Sequence, residues 1–162
     1  MTTTSLKANT VKIDSGLIPT ISEDLIRHEG LVHEVYLDTE GKLTMGIGHM
    51  IRVGDPEFKQ PVGTPVSEER IREAFKQDLV VAIRDVEDVF PAVGNYPDNV
   101  QRVLVNMMFN LGKPRFNKFE DMIEAVHNED WNAAADAMIN SKWFCQVKQR
   151  GVELVDMMST RI

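Results

Sequence analysis

The stretch "HEGLVHEVYLDTEGKLTMGIGH", residues 28–49, decides how this chain is read, because its periodicity changes part-way. Up to Glu29 the pattern is helical. In "PTISEDLIRHEG", Thr20 and Glu23 fit a capping box, Leu25 and Ile26 supply an apolar face, and Gly30 is a C-terminal stop. The spacing predicts a short helix over about 21–29, with Glu29 in its last turn. From Leu31 the segments "LVHEVYLD" and "KLTMGIGHMI" flank the turn composition "DTEG". They predict a β-hairpin, with a third short strand near 50–53.

Downstream, "RVGDPEFKQPVGTPVS" holds three prolines and two glycines and reads as a loop. Ser67 precedes "EERIREAFKQDLVVAIRDVEDVF", where Ile71, Phe75, Leu79, Ile83 and Val86 recur at helical spacing. After "PAVGNYPDN", where Pro97 suits a first helical turn, "DNVQRVLVNMMFNLG" is apolar enough for a central buried helix ending at Gly112. "FEDMIEAVHN", "DWNAAADAMIN" and "QVKQRGVELVDMMST" continue as helices, with Trp131 and Trp143 as core anchors. Residues 1–20 are polar and Thr-rich and read as an N-terminal extension. The predicted fold class is α+β. A small hairpin-bearing lobe (about 21–66) is joined by a long helix (about 68–90) to a helical lobe (about 91–162). A cleft between lobes is a common place for an active site.

Composition narrows the function. The 162 residues carry 18 Lys and Arg against 25 Asp and Glu, a formal charge of −7, which argues against a nucleic-acid partner. No apolar run approaches the roughly 20 residues that span a bilayer, so no membrane insertion is expected. The N-terminus lacks the apolar core of a signal peptide. The one cysteine, Cys145 in "WFCQ", reads as a buried, inert thiol.

Four chemistries are compatible with these residue types. A metal centre is disfavoured: His28 and His33 are five apart, which on a helix sets them about 140° from each other, and Gly30 breaks the helix between them. A phosphate cradle is disfavoured, since "MGIGH" has no third glycine and no Lys-Ser/Thr pair. Gly46 and Gly48 read instead as places for a tight bend or a close backbone approach. A cysteine nucleophile fails on the apolar context of Cys145. Carboxylates remain. Glu29 closes a helix and Asp38 opens a turn, and Thr44 lies across that turn where its hydroxyl can share a ligand with Asp38. Two carboxylates from different elements suit glycoside hydrolysis. On spacing alone, however, any acidic protein offers many such pairs.

In that order, Glu29, the "YLDTEG" turn with Asp38, then Thr44, then "GIGH", the chain resembles the phage-type lysozymes, the T-even bacteriophage muramidase family. "FKQDLVVAIRDV", "VLVNMMFNLG" and "SKWFCQVKQR" extend the likeness over roughly residues 21–158. The resemblance implies a lysozyme-like fold and hydrolysis of the β-1,4 bond between N-acetylmuramic acid and N-acetylglucosamine, without cofactor or metal. It implies Glu29 as general acid, Asp38 on the opposite face of the sugar and Thr44 as partner of the attacking water. His49 and Asp78 match a structural ion pair, and Arg150 matches an arginine that pairs with the catalytic glutamate. Met50 and Phe109 fall on the substrate side, while Met122 and Ala137 stand where the family has polar cleft residues. The implied partner is bacterial peptidoglycan, met by a monomer. Its setting is either host lysis from the host cytoplasm with holin-dependent release, or a virion tail among other tail proteins, since the chain ends resemble tail-associated lysozyme domains. Two rivals stand beside it: a module that only binds glycan, and a lytic transglycosylase. The joint presence of Glu29, Asp38 and Thr44 counts against both.

Overall fold

The computed structural model describes residues 10–159. The described residues divide into two compact units, one holding those up to Ile21 together with those from Ala82 onward, the other Ser22–Val81. Both borders fall inside helices, α1 (Ile18–Glu29) and α2 (Glu68–Val89).

The Ser22–Val81 unit is built on a three-stranded antiparallel sheet of β1 (Val32–Leu37), β2 (Leu43–Gly46) and β3 (His49–Met50), in that order. Side chains alternate across a strand, and directly paired residues share a face. Val35, Leu43 and Met45 therefore turn to one side, where they pack with Ile47, Val66, Ile71 and Ala74 into the core of the unit. Tyr36 pairs with Thr44 and Thr44 with Met50, so these three form a row on the other face.

Between Val32 and Tyr36 the register is irregular: four steps of β1 face two steps of β2. The unmatched part of β1 bonds to its other edge. Val35 N donates to Thr64 O (2.9 Å), Gly63 N to Val35 O (2.8 Å) and Val66 N to His33 O (2.8 Å). The Pro-rich segment read as a loop thus covers an exposed sheet edge, and Pro65, which has no N–H to donate, lies opposite Glu34 there.

β3 is anchored by His49, only 3% exposed. Its Nδ1 lies 2.6 Å from Asp78 Oδ2 and its Nε2 2.8 Å from Asp55 Oδ2. Asp55 also accepts from Arg52 N (2.8 Å) and Arg70 Nη2 (3.3 Å), and Arg52 Nη2 donates to Asp78 Oδ1 (3.1 Å). Burial disfavours the imidazolium, but hydrogen bonds to Asp78 and Asp55, reinforced by their charges, outweigh it and raise the His49 pKa above its ordinary 6.5. For Asp55 burial likewise opposes the charge. The Arg52 N–H, His49 and the Arg70 cation prevail and hold its pKa below 3.8.

The other unit is helical. α3 (Asp98–Leu111) begins one residue after Pro97 and ends at Gly112, whose φ of 76° suits a glycine. Its residues Val103–Met108 are all buried, so every side of the helix is covered. α8 (Gln149–Ser159) packs on α3 and on α6 (Trp131–Ile139), and α6 on α5 (Glu120–His127). The short α4 (Lys113–Phe116) and α7 (Lys142–Val147) connect them.

Several expectations need correction. The extension read over residues 1–20 is, from residue 10 on, built into the helical unit; residues 1–9 lie outside the described residues, as do 160–162. Val11 N donates to Pro91 O (2.8 Å), Gly94 N to Val11 O (2.8 Å), Ile13 N to Glu87 Oε2 (3.0 Å) and Asp14 N to Gln101 Oε1 (3.0 Å). Thr20 consequently lies inside α1, and the cap is Asp14, whose carboxylate accepts from Gly16 N (2.9 Å) before a 3-10 turn leads into the helix. Second, Cys145 is exposed. Trp143 takes the inward position of α7, and two residues further on the helix has turned about 200°. Third, Met122 is fully buried and presents nothing to a ligand. Trp143 is a core anchor as read, whereas Trp131 is half-buried with its ring edge-on to Tyr96 at 5.2 Å.

A Cβ at Gly94 would lie 2.0 Å from Lys12 O. Gly94→Ala should therefore push the N-terminal strap off and lower stability by about 1–3 kcal/mol, the usual size of an overpacking penalty, read by urea unfolding. Wild-type stability in the variant would show that residues 10–14 do not pack there.

The His49 cluster makes stability depend on pH. A raised folded-state pKa at His49 gives stabilisation that is complete below 6.5 and lost as pH rises through the folded value. A lowered one at Asp55 gives stabilisation present above 3.8 and lost as pH falls through the folded value. Both operate between those limits. The melting-temperature gap between wild type and His49→Gln should be widest near pH 5–6 and shrink toward alkaline pH. A gap that grows with pH would contradict a charged His49.

Candidate functional site

Glu29 is the last residue of α1, which ends because Gly30 adopts φ 79° and donates its N–H to Ile26 O (2.9 Å). The Glu29 side chain is half-buried and lies against the turn between β2 and β3. A Cβ on Gly48 would sit 2.5 Å from Glu29 Oε1 and 2.9 Å from Cδ. Gly48 and Gly46 both have φ 62°, and a Cβ on Gly46 would meet Ile71 Cγ2 at 3.0 Å. Of the two readings, tight bend or close backbone approach, the positive φ at both glycines matches the bend, and the close approach each makes is to a side chain.

Asp38 opens the hairpin turn. Its N–H donates to Lys42 O (2.9 Å), and its Oδ1 accepts from both Glu40 N and Lys42 N (2.8 Å each). Oδ2 has no hydrogen-bond partner among the described residues. Thr44, 4% exposed, donates its hydroxyl proton to Lys42 O (2.9 Å). A hydroxyl has one proton, so Thr44 Oγ1 is left as an acceptor.

Tyr36 joins these groups. It is the cross-strand partner of Thr44, and its phenol pKa is raised above 10.0 by burial first, then by the charge of Glu29, then by that of Asp38. Both carboxylates therefore lie within electrostatic reach of one hydroxyl. Sequence reasoning missed Tyr36. The available signal was its place on β1 two residues before Asp38, the spacing that sets side chains on one side of an extended segment.

Met50, 47% exposed, stands beside Thr44 in the same row. His49 and Asp78 meet, and Asp55, the second carboxylate on His49, was not anticipated because it sits in a turn segment with no period. Phe109 and Arg150 belong to the helical unit. Arg150 Nε and Nη2 donate to Asn106 Oδ1 (3.0 and 2.8 Å). One turn along α3, Asn110 Oδ1 accepts from Trp143 Nε1 (2.8 Å). Asn106, the half-buried Phe109 and Asn110 thus share one helix face. Among the described residues no group of three or more His, Cys, Asp or Glu is placed to hold a metal, and no helix is long and apolar enough to cross a membrane.

Residues 26–158 match the family model of phage lysozyme. The chain is 27% identical to probable T4-type lysozyme 2 of Dictyostelium discoideum, over 85% of this chain and 93% of that protein. It is 33% identical to the pre-baseplate central spike protein Gp5 of Enterobacteria phage T4, over 80% of this chain and 26% of that protein. It is 29% identical to the endolysin of Salmonella phage P22, over 71% and 75% respectively. With Glu29, Asp38 and Thr44 all inside the matched span, the chain belongs to the phage lysozyme family and has its α+β, lysozyme-like fold.

Proposed function

We propose that this protein is a cell-wall hydrolase of the lysozyme type, an endo-muramidase that cleaves the β-1,4 bond between N-acetylmuramic acid and N-acetylglucosamine with inversion. The observation that carries the reading is the pair of acceptors at Asp38 and Thr44: Asp38 Oδ2 has no hydrogen-bond partner among the described residues, and Thr44 Oγ1 has its proton committed to Lys42 O, while the charges of Glu29 and Asp38 both act on Tyr36, the cross-strand partner of Thr44. In this reading Glu29 protonates the leaving oxygen, and Asp38 and Thr44 hold the water. The hydrogen-bond polarity supports that division. A water giving one proton to Asp38 Oδ2 and the other to Thr44 Oγ1 has its lone pairs free to attack the anomeric carbon. A nucleophilic Asp38 would have no use for Thr44. The reading needs no cofactor. Relatives named as an endolysin and as a baseplate spike protein support a phage setting, in host lysis or on a tail.

Glu29→Gln keeps the shape and removes the transferable proton. Wall lysis should fall by at least about 100-fold, since general acid–base steps contribute roughly 10² to 10⁴, while thermal unfolding stays near wild type. Near wild-type lysis by the variant would remove Glu29 from this role.

Stereochemistry tests the water-steering role separately. Inversion places the carboxyl groups about 6.5–9.5 Å apart, and a covalent route about 5–5.5 Å. Proton NMR of a soluble peptidoglycan fragment during turnover should show the α anomer of the new reducing end first. Early β anomer would assign Asp38 as the nucleophile.

A further inference from the structure

Nine methionines occur in the chain, and the exposure of the eight among the described residues is uneven. Met45, Met107, Met108, Met122, Met138 and Met158 are no more than 1% exposed, and Met157 is half-buried. Met50 is 47% exposed. It lies directly across from Thr44, on the sheet face that also carries Tyr36, in a strand held by the His49 cluster, while its neighbour Ile51 packs against the core.

We propose that Met50 is a redox modification site: a peroxide-class, two-electron oxidant converts its thioether to the sulfoxide and so weakens glycan binding at this face. The inference rests on the function proposed above, in which this face meets the sugar. The sulfur lone pair attacks one peroxide oxygen, an S–O bond forms as the O–O bond breaks, and the departing hydroxide takes the proton of the new S–OH group, leaving the sulfoxide and water. Sulfur loses two electrons and the peroxide gains them. The product is polar and chiral where the thioether was apolar and pliable, so it competes for water at the point where the apolar side of a sugar ring would rest. The buried methionines are shielded from the same reagent, so the fold survives a dose that modifies Met50. The sulfoxide is the reversible rung of the oxidation series, which makes the change a switch that a methionine sulfoxide reductase resets.

The test is a limited hydrogen peroxide titration of the intact chain, with peptide mass mapping, circular dichroism and lysis of purified peptidoglycan followed together. Co-sedimentation of the Glu29→Gln variant with insoluble peptidoglycan reads binding apart from turnover. With the exposed thiol removed by Cys145→Ser, one added oxygen should appear on the peptide containing Met50 before those of the other described methionines, with the spectrum unchanged. Lysis should then fall on the order of 10-fold, the scale of a lost apolar contact in a substrate pocket, and co-sedimentation should weaken in step. Treatment with methionine sulfoxide reductase and dithiothreitol should restore both. Met50→Leu, compared with its own untreated activity, should not respond to peroxide. Full lysis after complete Met50 oxidation overturns the proposal, and so does an equal fall in Met50→Leu. An untreated wild-type chain that does not degrade peptidoglycan is a different result, and it refutes the proposed function on which the switch rests.

Discussion

The Glu29 carboxylate occupies the space where residue 48 would carry a side chain. A Cβ at that point would stand 2.5 Å from Oε1, well inside van der Waals contact, and the backbone there has φ 62°. Two independent constraints, one steric and one conformational, thus demand glycine at the same residue. Much of the Ser22–Val81 unit follows from this contact. The turn must be tight, so β2 and β3 are adjacent and antiparallel, and the next residue, His49, is carried into the interior. An imidazole so buried needs partners, and Asp55 and Asp78 take one ring nitrogen each. The cluster therefore holds the far side of the same turn that Glu29 touches.

The sheet does for Asp38 and Thr44 what the turn does for Glu29. Cross-strand pairing fixes Tyr36, Thr44 and Met50 in one row, and the opposite face is committed to the core through Val35, Leu43 and Met45. A register slip of one residue would exchange the two faces, burying the polar row and exposing the core. The covering of β1 by residues 63–66 opposes such a slip, because it pairs the part of β1 that β2 leaves unmatched. The arrangement of the candidate site is thus enforced by the same burial that stabilises the unit.

The parts of this design legible in the sequence are those with a side-chain signature. Gly30 announces the end of α1, "DTEG" the hairpin turn, and the apolar run ending at Leu111 the central helix α3. What escaped is held by backbone groups or by distant partners. The strap at residues 10–14 bonds largely through main-chain N–H and C=O, which every residue possesses, so a polar, Thr-rich composition suggested a tail. The edge cover at 63–66 was hidden for the same reason. Asp55 and Tyr36 failed differently: each acts on a group brought near by the fold, so that nothing local distinguishes Asp55 from any turn aspartate, and only its spacing to Asp38 marks Tyr36. Cys145 was misplaced because an apolar neighbourhood in sequence says little about which side of a short helix a residue faces.

Lys42 shows the limit of such reading most clearly. Its carbonyl oxygen accepts from Asp38 N and from Thr44 Oγ1, both at 2.9 Å, and its own N–H donates to Asp38 Oδ1 at 2.8 Å. A carbonyl has two lone pairs, and here both are used. The backbone of one residue thereby fixes where the Asp38 backbone sits, which carboxylate oxygen is occupied, and which way the Thr44 hydroxyl points. If the hydroxyl were free to rotate, Thr44 could donate to a water as readily as accept from it, and the water's orientation would be undetermined. With its proton directed to Lys42 O, only acceptance remains. The lysine side chain takes no part in these three bonds, so the element that sets the polarity of the site carries no mark in the identity of residue 42.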